Sequence, residues 1–198
     1  MKLHHFSPTK IERRADSANG TVFLSGICCP YNAWSQDIGG GYFKEQFLPG
    51  AFSNLETQDI LCTVQHDINR LLGRRSSGTL VINDTPTGVH VECAMPNTTH
   101  ARDLVEQVAR GDIRGMSFDF ISTKDTWGTD DGIRCRTVEK ATMYEVCFCP
   151  DPVYLQSTVE LEQRSTLAAA VELVKKYDAR LAESRLKYVK SMYTLAQQ

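Results

Sequence analysis

The chain has 198 residues, 41% of them apolar, with a formal net charge of -2 and a pI near 6.2. That length fits one compact domain with an appendage, and the apolar share is enough for an ordinary core. The charge leaves no electrostatic footprint for nucleic acid and no apolar run is long enough to cross a bilayer, so neither nucleic acid nor a membrane is an expected partner.

The first residues, Met1-Lys2-Leu3-His4-His5-Phe6, lack the apolar stretch of a secretory signal, and the chain reads as intracellular. Seven cysteines follow (Cys28, Cys29, Cys62, Cys93, Cys135, Cys147, Cys149), an odd number that argues for free thiols. Neither Cys28-Cys29 nor Cys147-x-Cys149 has the C-x-x-C spacing of a structural zinc site, and no spaced histidine pair completes them. No metal or other cofactor is expected, and the cysteines in strand-like runs read as small core hydrophobes.

In chain order, Ile11 to Tyr31 reads as an N-terminal strand region, with β-branched and aromatic residues concentrated from Thr21 to Ile27. Gly39-Gly40-Gly41 lacks the Gly-Lys-Ser/Thr ending of a phosphate loop and reads as a flexible loop. Pro49-Gly50 turns the chain between aromatic anchors, ahead of a short helical piece near Ser53 to Leu55. Ile60 to Gln65 is a largely apolar strand that runs directly into His66-Asp67. Gly78 to Ile82 and Val89 to Ala94 predict a β-hairpin around Asn83 to Gly88, with Pro86 outside either strand.

Ala101 to Arg110 carries Leu104, Val105 and Val108 on one helical face, and Gly111 stands where a left-handed cap would end the helix. Beyond it Met116, Phe118 and Phe120 alternate with Ser117 and Asp119, the period of a strand with one buried face and Ser117 on the other. Ile121 to Trp127 and Gly132 to Val138 predict a second hairpin joined by Gly128 to Asp131, and Ala141 to Phe148 is an apolar strand interrupted by Glu145. From Leu167 to Leu195 apolar residues fall on alternating three- and four-residue steps, which predicts a long helix extending beyond the domain.

Three residues carry the candidate chemistry. Ser117 is a lone hydroxyl among apolar neighbours, where a strand serine is ordinarily just solvated or hydrogen-bonded. His66 stands at a strand end, where sites are built, and its near-neutral pKa lets it take and return a proton. Glu145 is either an outward-facing edge residue or the carboxylate that fixes a histidine tautomer.

The order in which these residues occur resembles a known family. Phe47-x-Pro49-Gly50-Ala51-Phe52, then His66-Asp67 with Leu72-Gly73, then Gly115-Met116-Ser117-x-x-Phe120, then Tyr144-Glu145-Val146 and a nearby proline are similar to the prohead proteases of tailed bacteriophages. The likeness is collinear from about Gly20 to Leu155. The departures are Cys147, where the family often has serine, and Pro150-Asp151-Pro152, where it often has alanine after the proline.

The resemblance implies an α+β fold like that of the herpesvirus assemblins, a small, mainly antiparallel β-barrel wrapped by helices. It implies a serine endopeptidase with Ser117 as nucleophile, His66 as base and Glu145 as third member. Residues 1–158 would form the protease domain and 159–198 a helical extension contacting scaffold or a second subunit. The implied substrates are the scaffold segment of the major capsid protein and the protease itself, handled by a homo-oligomer in the host cytoplasm, inside the procapsid.

A second reading is a non-catalytic capsid-assembly or scaffolding protein that kept the fold. The presence of both His66 and Ser117 favours the enzyme. A cysteine peptidase using Cys62 or Cys147 ranks below it, since neither thiol occupies the matched position. Asp119, His90 and His100 are the other candidates for the third role.

Overall fold

The computed structural model describes residues 21–38, 43–157 and 159–164. The Gly39 to Gly41 loop, the strand region before Thr21 and the helix expected from Leu167 lie outside the described residues.

The architecture is mostly β, with one α-helix among the described residues. A four-stranded sheet has β5 (Leu80–Thr85), β6 (Gly88–Ala94), β1 (Thr21–Pro30) and β9 (Glu160–Arg164) side by side. A five-stranded sheet is organised on β8 (Ile133–Cys149), with β7 (Gly115–Asp130) antiparallel along one edge. Along its other edge run β2 (Phe43–Phe47) and β3 (Leu61–Val64), both parallel to β8, with β4 (Asp67–Arg74) antiparallel beyond β3.

Two expectations change here. No closed barrel forms among the described residues, and the pairings that flank β8 are not all antiparallel. Among the described residues the expected wrapping by helices reduces to α1 (Thr99–Arg110) and a single 3-10 turn at Leu55–Thr57. The strand β9, which follows residue 158, pairs with β1 and so belongs to the sheet of the main domain.

β2 and β3 lie end to end along β8, and the chain between them closes the gap. Leu48 N–H donates to Val138 O, Ala141 N–H to Ala51 O and Met143 N–H to Gln58 Oε1, so the backbone of β8 stays paired between its two parallel partners. The turn expected at Pro49-Gly50 is therefore a sheet connection, with Gly50 at φ 78°.

β7 and β8 are each one continuous strand where two shorter pieces were expected, and they meet in a two-residue turn at Asp131–Gly132. Both turn residues have positive φ, 47° and 79°, the geometry for which Asp-Gly is suited. The other hairpin, β5–β6, turns at Pro86–Thr87, and Pro86 is outside both strands as expected.

The helix α1 ends as its sequence predicts. Gly111 has φ 80°, its N–H bonds to Val108 O, and the N–H of Asp112 bonds to Gln107 O, a pair of bonds that satisfies the last carbonyls and turns the chain into β7. Ala101, Leu104 and Val108 are buried against the core. Behind β7, Phe118 and Phe120 pack around Phe47 and Phe52, with ring centroids of Phe47 5.4 Å from Phe118 and 4.9 Å from Phe120. This aromatic cluster commits one face of β7 to the interior and so assigns Ser117 and Asp119 to the other.

Candidate active site

The site is built where β3, β8 and β7 lie side by side. Thr63, Cys147 and Ser117 form one row across the three strands, and Leu61, Glu145 and Asp119 form the next. Cross-strand partners share a face, so Ser117, Asp119, Glu145, Cys147 and Thr63 all point away from the aromatic cluster. Beside them the ladder is irregular. Asp119 pairs with Glu145 but Phe120 pairs with Met143, which leaves Tyr144 as an extra residue in a β-bulge next to Glu145.

His66 reaches this face from the turn between β3 and β4. Val64 pairs with Asp67, and the two residues between them, Gln65 and His66, have φ of 55° and 58°. Neither is glycine, so the tight turn holds two side chains in the left-handed region at a cost of about 1–3 kcal/mol each. Gln65 N–H donates to Phe148 O at 3.1 Å, which extends the β3–β8 ladder into the turn and ties the histidine to β8.

The ring of His66 lies over the carboxyl groups. Nδ1 is 2.9 Å from Glu145 Oε2 and 3.5 Å from Asp119 Oδ2. Glu145 Oε1 accepts a 2.5 Å hydrogen bond from Thr63 Oγ1, so both carboxylate oxygens are engaged. The side chain of Glu145 is 13% exposed and that of Asp119 45%, which makes Glu145 the inner and Asp119 the outer carboxyl.

The electrostatics follow from these contacts. Burial pushes the Glu145 carboxyl up, but hydrogen bonds from Thr63 and His66 outweigh it and hold the group below its ordinary 4.5. Asp119 moves the other way, raised above 3.8 by burial and by its hydrogen bond with Glu145. For His66, burial favours the neutral ring, yet the hydrogen bond to Glu145 and the surrounding negative groups raise it above 6.5. The donor atoms of the three residues lie within 4.8 Å of one another. In that cluster Nδ1 is within hydrogen-bond distance of Glu145 Oε2.

The structure therefore brings His66 and Glu145 into contact and sets Ser117 one row from Glu145 on the same face. Among the described residues no hydrogen bond joins Ser117 to His66. Of the other candidates for the third role, only Asp119 is here. His100 stands at the start of α1, with Nε2 on Leu71 O at 3.0 Å, and His90 lies on β6 in the other sheet. Sequence reading missed Thr63, whose one local signal is a hydroxyl in an otherwise apolar strand. It also gave Asp119 only a reserve role, although the period of the strand already put it on the Ser117 face.

Comparison with known proteins adds the family. The profile of the Caudovirus prohead serine protease family matches residues 9–171. The chain belongs to that family, and it is a serine-type protease whose place of work is the procapsid. Among solved structures it is similar to the KSHV protease in complex with a hexapeptide phosphonate inhibitor, at 10% identity and a TM-score of 0.47 over 88% of this chain and 77% of that one. No curated protein matches it. No helix among the described residues is long and apolar enough to cross a membrane.

Proposed function

We propose that the protein is the endopeptidase of head maturation, cleaving the scaffold segment of the major capsid protein and its own chain, with His66, Ser117 and Glu145 as its triad. The observation that carries the reading is the hydrogen bond between His66 Nδ1 and a Glu145 carboxylate beside the strand of Ser117. A carboxylate on Nδ1 holds the proton there and leaves Nε2 as the basic nitrogen. His66 then takes the Ser117 proton as the hydroxyl attacks a peptide carbonyl. The resulting imidazolium gives that proton to the leaving amine, and water, activated by the same ring, hydrolyses the acyl-enzyme.

The thiols are less suited to the attack. Cys62 and Cys147 are fully buried, and both are pushed well above the ordinary thiol range, Cys62 by burial and Cys147 by a hydrogen bond with Cys149 and by burial. Both are held protonated near neutral pH. The segment after β9, which lies outside the described residues, is proposed from its apolar spacing to engage scaffold or a second copy of the chain.

The test is Ser117→Ala in the full chain, with cleavage of the capsid protein's scaffold segment as the readout. A loss on the order of a million-fold in a folded protein is expected if the three groups act as a unit. Cleavage within tenfold of the parent would overturn the assignment and favour the non-catalytic scaffolding reading or another nucleophile.

A further inference from the structure

Asp119 is two residues past Ser117 on the same strand face and directly across the ladder from Glu145. Two carboxyls opposed across a strand pair repel when both are ionised, and such a pair persists where a proton or a cation is shared between them. The imidazole of His66 supplies that partner, since its Nδ1 lies 2.9 Å from one carboxyl and 3.5 Å from the other. Among the described residues the titratable groups that face Asp119 are Glu145 from β8 and His66 from the turn between β3 and β4.

We propose that Asp119 is a positioning residue for the reaction, forming with Glu145 a two-carboxylate clamp on Nδ1 of His66. The proposal rests on the reading of His66 as the base. The two arms differ. Glu145 is the fixed arm, since its second oxygen is held by Thr63 and its side chain is mostly covered. Asp119 is the solvent-facing arm. With two acceptors side by side, the Nδ1–H keeps a partner through small rotations of the ring, so the tautomer that frees Nε2 persists. The negative charge of ionised Asp119 also strengthens His66 as a base by favouring its protonated form. The same two contacts oppose drift of a ring that is carried on a strained turn.

Asp119→Asn separates charge from shape, because asparagine fills the same space and can still donate to Glu145 but carries no charge. The first measurement is an NMR titration of the His66 ring in the full chain carrying Ser117→Ala, with and without Asp119→Asn. The expected result is a His66 pKa lower by about half a pH unit in the Asn variant, the size of a partly solvated ion-pair interaction, with the parental value returning in Asp119→Glu. An unmoved pKa overturns the clamp, as a merely structural Asp119 would leave it unmoved. If Asp119→Asn fails to fold, Asp119→Ser removes the same charge and is read in the same way.

The second measurement is kcat/KM against pH with Ser117 intact. The acid limb should move to lower pH by the same interval in Asp119→Asn, and a limb that stays in place also overturns the clamp. The two readings fail separately. Cleavage that survives Ser117→Ala removes the nucleophile assignment while the titration still tests the clamp. An inactive Ser117→Ala protein whose His66 ignores Asp119→Asn keeps the triad and removes the clamp.

Discussion

Thr63 Oγ1 donates to Glu145 Oε1 at 2.5 Å from the neighbouring strand, which leaves Oε2 as the acceptor for His66. A buried hydroxyl thus decides which oxygen of the carboxylate meets the imidazole. Thr63→Val keeps the branched shape and removes the donor. It should lower stability by about 1.5–3 kcal/mol, the worth of a hydrogen bond to a charged group, and let the Glu145 carboxyl rise toward its ordinary value. Urea unfolding of parent and variant reads this, and equal stability would show that the hydroxyl is replaceable.

Glu145→Gln tests the carboxylate itself. As an orienter of His66, Glu145 should be replaceable in the fold but not in the reaction, with cooperative unfolding kept, the thermal midpoint lowered only by the loss of its charge-assisted bonds to Thr63 and His66, and turnover lower by about 10³–10⁴-fold. Near-parental turnover in a folded variant would reduce Glu145 to a polar residue of the sheet.

The site and its supports were unevenly legible in the sequence. The alternation of Met116, Phe118 and Phe120 with Ser117 and Asp119 reports a one-sided strand because burial on one face is a local property, and Gly111 reports the helix end because only a left-handed residue fits there. Glu145 stood out as a charge in an apolar strand. What local pattern does not carry is pairing. That β8 takes β2 and β3 in parallel along one edge depends on contacts far apart in sequence, so the barrel expectation failed and β2 went unread. The Asp131-Gly132 turn, by contrast, carried a strong hairpin signal, and placing the loop a few residues early cut β7 short.

Gln65 offers a prediction about strain. At φ 55° its side chain has no conformational preference for the turn it occupies, whereas glycine enters that region freely. Gln65→Gly should hold or raise the thermal midpoint, by up to about 1 kcal/mol of stability, and leave cleavage within a few-fold. A clear loss of stability would mean that contacts of the Gln65 side chain outweigh the backbone cost.

Gly115 makes the opposite case. A Cβ there would sit 2.8 Å from Pro152 Cβ, and the next residue, Met116, donates its N–H to Ser157 Oγ at 3.2 Å. The start of β7 is thus held against the segment that follows β8. Gly115→Ala should cost about 1–3 kcal/mol by overpacking and shift the strand two residues before Ser117. Unfolding measured alongside turnover should show both falling, and an unaffected protein would mean that Pro152 moves aside freely.

The dependence on pH follows from the directions of the shifts. His66 is raised in the fold, so its protonated form adds stability that is complete below the unfolded value of 6.5 and is lost as pH rises through the folded one. Glu145 is lowered, so its contribution is present above 4.5 and lost as pH falls through its folded value. Asp119 is raised from 3.8, so its protonated form adds stability that is complete below 3.8 and is lost as pH rises through its folded value. Since the base must be neutral to accept a proton, the acid limb of kcat/KM should have its midpoint above 6.5, while the stability of the Ser117→Ala protein declines over that same interval. His66→Gln should abolish that decline, as thermal midpoints across pH will read.

Glu145 is bonded to Thr63 across 82 residues of sequence and to His66 across 79. Parallel pairing over such a span must meet the entropy of closing a long loop before any contact repays it, which places the docking of β8 on β3 among the slow steps of folding. A growing chain that already displays Ser117 and His66 lacks Glu145 and the strand that anchors the turn carrying the ring. The proposed machinery is therefore incomplete until β8 joins β3, so the order of the chain ties its assembly to the docking of one strand.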